Sequence, residues 1–226
     1  MKQFTIDNSQ LTIKILAFFF VLSIVHFQFS ISIYAQEDNI GESQVNPASP
    51  LYFLKSVREV LELKFAATTN TKAFRQLEFA TRRIREVKSL AKTPRQDLIE
   101  PTLYRYLSNM QELNGLVNLK DNDSATQVID VVGLHMTILQ AVYDQVSDLR
   151  ARMSIRVTVN RLSEWDQQLI DRLDLVKQHS LVDKVTALKL SRCSFLAKEA
   201  SSSALNEVEK VVLSERAQKC LISKQK

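Results

Sequence analysis

The sequence predicts an all-α protein, a bundle of antiparallel hairpins built from long amphipathic helices. Three observations carry this. The chain of 226 residues holds only 3 Gly and 4 Pro, where average usage would place roughly 16 and 11. Sheet corners, hairpins and phosphate-cradling loops draw on those two residues, so sandwiches, barrels and Gly-rich nucleotide folds are disfavoured. Apolar residues recur at spacings of 4 and 3 through most of the chain, as on one face of a helix. Finally, 45% of residues are hydrophobic and 24% charged, a balance that buries a core and excludes wholesale disorder.

The elements follow in order. Residues 1–14 are polar apart from scattered apolar positions, with Lys2 and Lys14 the only basic residues before position 36, and Ile15–Ile33 then runs without a charge to Ile33-Tyr34-Ala35. This is the layout of a secretory signal, with a basic start, an apolar run and a small residue at the cleavage point. The 19-residue run is also close to the ~20 residues that span a bilayer, so residues 1–35 are either a signal peptide cleaved after Ala35 or an uncleaved membrane anchor. Both readings put the remainder outside the cytoplasmic membrane, secreted or in the envelope. No Cys follows Ala35, so a lipid-modified N-terminus is not expected. The remaining 191 residues carry 28 Lys and Arg against 24 Asp and Glu, too even a balance to indicate nucleic acid.

Residues 36–48 are polar, contain Gly41 and Pro47, and read as a flexible linker. Ser49-Pro50 is an N-cap followed by Pro at the first helical position, opening a helix over about 50–67 with Leu54, Val57, Leu61 and Phe65 on one face. Thr68 to Thr71 break it. In the next helix, 72–91, Ala73, Leu77, Ala80, Ile84, Val87 and Ala91 form a coiled-coil-like seam. Thr93-Pro94-Arg95-Gln96 reads as a capping box for a third helix to about 119, with Pro101 kinking it or moving its start to about 101. Ser124 and Gln127 cap a long fourth helix whose seam is Val128, Val132, His135, Leu139, Val142, Val146, Leu149 and Met153. Residues 155–159 alternate like a strand but find no second strand, so helix is predicted. A helix bearing Leu162, Trp165, Leu169, Leu173 and Val176 ends at His179-Ser180, and helices over 181–199 and 204–222 complete six or seven in all. The domain reading is a helical domain over 49–155 and a C-terminal helical region over 156–226.

Candidate chemistry is sparse. His135 sits in a seam, where a hydrogen-bonded core histidine is expected, and His179 is placed at a helix C-terminus, where its partial charge suits the dipole. Glu164, Asp166, Asp171 and Asp174 cluster around Trp165, the only Trp. Asp171 and Asp174 share a helix face and offer a carboxylate pair to a divalent cation, but Arg161 and Arg172 interleave, as on a salt-bridged surface. Cys193 and Cys220 stand in a disulfide-permitting compartment. A hairpin turning near 201, however, sets them about 15 Å out of register at 1.5 Å per residue, so two separate thiols are expected, with a bridge as the alternative. The basic stretch Arg75, Arg82, Arg83, Arg85, Lys88, Lys92 and Arg95, interrupted by Glu78 and Glu86, reads as a charged outer face.

Ser49-Pro50-Leu51-Tyr52-Phe53-Leu54-Lys55 with Glu59, followed by Lys72-Ala73, Leu77, Ala80, Arg83, Ile84 and Glu86, resembles a bacterial family of exported or membrane-anchored helical proteins. That family is catalogued as a domain of unknown function, number five-six-six-seven. The resemblance is close over 48–91 and loose to 150, with Ile84 where the pattern has Leu. It implies an extracytoplasmic α-helical module without a known activity. The residues themselves suggest scaffold roles: Leu51, Tyr52 and Leu54 anchoring the first helix on the second, Lys55 pairing with Glu59 on the surface, and Arg83 pairing with Glu86 or reaching across to the first helix.

These readings lead to a non-enzymatic interaction or structural module of the bacterial envelope, with a protein partner or a second copy as its ligand and membrane contact through residues 15–33. No catalytic, cofactor-binding or metal-ligating residue is assigned, and no cofactor or nucleic-acid partner is expected. The alternative is an extracytoplasmic sensor responding to a cation or ligand near Trp165.

Overall fold

A computed structural model describes residues 40–117, 122–173, 175–202 and 205–222, so the export segment lies outside the described residues. Among these residues there are seven α-helices and no strand: α1 (Tyr52–Lys64), α2 (Thr69–Leu90), α3 (Ile99–Leu116), α4 (Asn122–Tyr143), α5 (Leu149–Asp171), α6 (Leu175–Ala200) and α7 (Glu207–Ile222). Helices α2, α3, α5 and α4 adjoin in a ring, each packing on the next, and form a four-helix body. Helix α6 lies against both α4 and α5, α7 packs on α6, and α1 packs on α2.

The seam predicted for α2 is buried at all six positions, from Ala73 to Ala91. Thr68 opens the helix as N-cap, its Oγ1 accepting from the Thr71 N–H at 3.1 Å. Ile99, Leu103, Tyr106, Met110 and Leu113 meet the seam from α3. In α3, Pro101 falls in the first turn, where its missing N–H has no intrahelical partner to lose. The expected capping box at Thr93 is absent. The Thr93 hydroxyl instead bonds the Leu90 carbonyl at 2.9 Å and closes α2. Gln96 reaches elsewhere: its Nε2 donates to the Ala91 carbonyl, while its Oε1 accepts from the Ser147 and Asp148 N–H groups and fixes the turn between α4 and α5.

Ser124–Tyr143 is long and apolar enough to cross a membrane, but half of it is buried within the protein, where α4 touches α2, α5 and α6. The single long helix expected from 124 to beyond Met153 is in fact two. The chain breaks after Tyr143, Val146 turns into the core, and α5 starts anew, leaving Leu149 and Met153 exposed rather than in the seam. Residues 155–159 are helical, with Ile155 and Val159 fully buried in the same cluster as Ala73. The division expected at 155–160 therefore falls inside α5. The next break comes at Arg172 and Leu173 rather than at His179-Ser180, a placement that buries both Leu169 and Leu173. Within this frame Gly133 admits Leu188 of α6; a Cβ there would stand 2.8 Å from the Leu188 Cδ2.

Cys193 and Cys220 are bridged, with their Cα atoms 5.6 Å apart. The expectation of separate thiols rested on a hairpin pivot at 201. Helix α7 begins only at Glu207, after Asn206 and Glu209 cap it reciprocally: the Asn206 Oδ1 accepts from the Glu209 N–H, and the Glu209 Oε2 from the Asn206 N–H. This later start moves the turn toward Cys220 and narrows the offset between the two cysteines. Leu196, Leu213 and Ala217 pack beside them as a small core of their own.

Candidate functional site

Helix α1 is amphipathic with its polar face turned inward. Tyr52, Lys55, Glu59 and Glu62 recur at spacings of 3, 4 and 3, a stripe along one side, and all four meet α2. The reason lies in α2, whose surface toward α1 carries Arg82, Arg83 and Glu86 instead of apolar residues. Glu86, wholly buried, accepts from Lys55 Nζ at 2.5 Å, from Arg83 Nη1 at 2.7 Å and from the Tyr52 hydroxyl at 3.1 Å. The Arg83 guanidinium also bonds Glu59 and the Tyr52 oxygen. Arg82 bonds Glu62 at 2.9 Å and Glu78 at 2.5 Å, and Arg105 of α3 donates to the Tyr52 oxygen at 2.8 Å. Between α1 and α2 the core of this network sets three cations (Lys55, Arg82, Arg83) against three carboxylates (Glu59, Glu62, Glu86).

Buried charges survive only when each is paired and hydrogen-bonded, and the protonation balance reflects this. Burial works against the Arg83 charge, yet Glu86 and Glu59 outweigh it and raise its pKa; Arg82 is raised likewise by Glu78 and Glu62. Burial pushes the Tyr52 hydroxyl up to about 12, with the Glu86 carboxylate adding to it. Burial also raises Glu59 despite Arg83, in keeping with a Glu59 Oε1 that has no hydrogen-bond partner.

The apolar face of α1 consequently points away from the protein. No residue of α1 is buried, and Phe53, Leu54, Val57, Val60, Leu61 and Phe65 expose between 40% and 69% of their surfaces. Leu54, Val57, Leu61 and Phe65 do share one face, but it is the outer one, which corrects the expectation that Leu51 and Leu54 anchor the helix. Of Leu51, Tyr52 and Leu54 only Tyr52 anchors it, through its hydroxyl, beside Lys55, Glu59 and Glu62. Lys55 and Glu59 do not pair on the surface; each reaches α2. Arg83 makes both bonds foreseen for it, to Glu86 and across to α1. Arg82 and Arg83 are thus interior ties, not members of a charged outer face.

Residues 40–48, expected as a flexible linker, make specific contacts. The Ser43 N–H donates to the Ser89 Oγ at 2.9 Å, whose hydroxyl lies 3.1 Å from the Ser43 carbonyl, and Lys55 Nζ bonds both the Ser43 Oγ and the Val45 carbonyl. Ile40 packs against the main core.

The remaining candidates are dispersed. His135 is fully buried, with Nδ1 3.1 Å from the Tyr106 hydroxyl and Nε2 3.0 Å from the Thr81 Oγ1, which itself reaches the Leu77 carbonyl at 3.0 Å. Burial pushes its pKa down to about 3, with Arg85 adding to the shift, so it is a neutral core histidine that ties α4 to α2 and α3. His179 is exposed in the second turn of α6, not at a C-terminus. Glu164 and Asp171 are exposed; the Asp166 side chain and Asp174 lie outside the described residues. Among the described residues no three His, Cys, Asp or Glu side chains group to hold a metal ion. Trp165 lines a groove of about 360 Å³ with Tyr104, Gln111, Asn114 and Arg161, and its Nε1 finds no hydrogen-bond partner. Sequence reasoning passed over a second polar tie. Buried Glu199 of α6 lies 3.6 Å from Arg156, and Arg152 sits 4.5 Å over the Tyr143 ring. Burial, then a hydrogen bond to Glu199, pushes the Tyr143 hydroxyl up to about 12. Its signal was weak, since an isolated Glu near a helix end has no periodic partner.

Fold and site together define an all-α domain whose first helix is attached by buried ion pairs and turns an apolar face outward. Residues 44–179, more than half of the chain, match the family described as "Domain of unknown function (DUF5667)", and the chain belongs to that family. No curated protein and no solved structure matches it.

Proposed function

We propose that this protein is an extracytoplasmic, non-enzymatic interaction module of the bacterial envelope, and that α1 presents its binding face. The observation that carries the reading is the exposed apolar stripe from Phe53 to Phe65 on a helix fixed from behind. Contiguous exposed apolar surface on a folded domain marks sites of association. A bridged Cys193–Cys220 pair supports an oxidising compartment, as does the charge-free run 15–33. The buried groups best suited to acid–base work, His135, Glu86 and Glu199, face structural partners, which favours binding over catalysis. The test combines fractionation of the expressed protein, identification of its N-terminal residue, and a photo-crosslinker placed at Val57. An extracytoplasmic chain with adducts at Val57 but none at the exposed Asp183 is the expected outcome. A cytoplasmic chain, or one with no adduct, overturns the reading.

The groove at Trp165 favours a second reading, a ligand-responsive sensor, because a buried indole N–H without an acceptor is a vacancy for one. Trp165 fluorescence should then shift on titration with small polar ligands or divalent cations, and Arg161→Ala or Asp171→Ala should abolish the shift. An unchanged spectrum throughout eliminates it.

A further inference from the structure

We infer that the outward face of α1 seats on a lipid surface bearing anionic headgroups, a deepening of the interaction reading above on which it rests. Three independent features select this occupant. The first is the shape of the face. Phe53 and Phe65 stand toward opposite ends of α1, with Leu54, Val57, Val60 and Leu61 between them, an arrangement suited to lying flat in the headgroup boundary rather than filling a pocket.

The second is charge. Of the two carboxylates of α1, Glu59 turns toward Arg83, and Glu62 is shared between Arg82 and Arg58. The charges left bordering the outer face are Arg58, whose side chain is half-exposed although it bonds Glu62, and exposed Lys64. An apolar stripe flanked by cations complements an anionic membrane. It complements itself poorly: Arg58 is the midpoint of α1, and an antiparallel two-fold pairing of two copies would bring together two guanidinium groups whose carboxylate, Glu62, is already shared with Arg82 on the inner side.

The third is the reach of the chain. The charge-free run 15–33 ends seven residues before Ile40, which packs on the core. Seven residues extend at most about 24 Å. Past Ile40, Ser43 and Val45 are held by Lys55 of α1 itself. A membrane-inserted run 15–33 therefore keeps the N-terminal end of α1 within a short, fixed length of the bilayer surface, where an apolar helical face has lipid as its nearest large apolar neighbour.

The test uses the full chain reconstituted into vesicles of phosphatidylcholine and phosphatidylglycerol, with and without bromine on the acyl chains. Val57→Trp adds a reporter at an exposed position, and native Trp165, on the groove between α3 and α5, is the internal reference. Brominated lipid should quench the added emission at least twofold and leave the wild-type emission unchanged. The quenching should fall when phosphatidylglycerol is omitted, and Val60→Trp should repeat the pattern. Unquenched emission at both positions overturns the proposal. So does a Val57→Cys chain that crosslinks to a second copy, or to another protein, in the same vesicles. Those last results leave the interaction reading standing, whereas a chain found in the cytoplasm removes both.

Discussion

Helices α1 and α7 are both peripheral, α1 packing chiefly on α2 and α7 on α6, yet they are attached by opposite means. Helix α1 buries no residue and holds on through Tyr52, Lys55, Glu59 and Glu62. Helix α7 buries Leu213 and Ala217 against Leu196 and is bridged by Cys220 to Cys193. Both leave apolar side chains outside, since Val208, Val211 and Val212 of α7 are exposed as well. An ion-pair attachment fixes orientation as well as proximity, because each charge must find its own counter-charge. A disulfide with a small apolar patch fixes proximity chiefly. The oriented face of α1 lies within the residues shared with the family, 44–179, while α7 and its bridge lie beyond them.

The largest way to break this comparison is Arg83→Ala, which leaves buried Glu86 to Lys55 and Tyr52 and takes from Glu59 its closest cation. Removing one partner of a buried pair costs about 3–5 kcal/mol, and denaturant unfolding should show a loss of that order. Arg83→Lys should recover only part of it, lacking the fork that serves both carboxylates. Next is the bridge. Opening a loop of 27 residues costs about 3.5 kcal/mol on the chain-entropy account. Because α7 packs on α6, reduction should raise hydrogen exchange in α7 first and leave α2–α5 protected.

The body between the two attachments responds to pH through His135. Its folded pKa, near 3, lies below the unfolded value of about 6.5, so below that value the unfolded chain takes up a proton the folded chain refuses. Stability is therefore intact above about pH 6.5 and declines as pH falls toward 3, by about 2 kcal/mol at pH 5. In His135→Gln this part of the slope should vanish from melts recorded across that range. The smallest effect is Tyr52→Phe, worth about 1 kcal/mol for the lost hydrogen bonds. It should loosen α1 in hydrogen exchange while α7 stays unchanged.

Much of the helical body was legible because its seams repeat: all six seam positions of α2 are buried. Helix breaks were less so. Val146 and Leu149 continue the same 3–4 rhythm, yet the helix stops after Tyr143, and the turn that follows is held by Gln96, 51 residues from Ser147. The orientation of α1 was hidden for a different reason. An amphipathic pattern separates two faces without saying which is covered, and the apolar one is covered by default. The contrary signal lay in α2, where Arg82, Arg83 and Glu86 form a charged patch that an apolar stripe cannot meet. The bridge was missed because its register depends on where α7 begins, which the reciprocal capping of Asn206 and Glu209 decides.

The contacts before α1 bear on how this protein carries load. Tension drawn through the N-terminal segment enters at Ile40 and first meets Glu42 on Lys92 and Ser43 on Ser89, at the far end of α2. Ser43 and Val45 also bond Lys55, so the same pull reaches the ion pairs of α1 directly. The segment before α1 thus spreads a pull over both helices at once instead of peeling α1 away by itself.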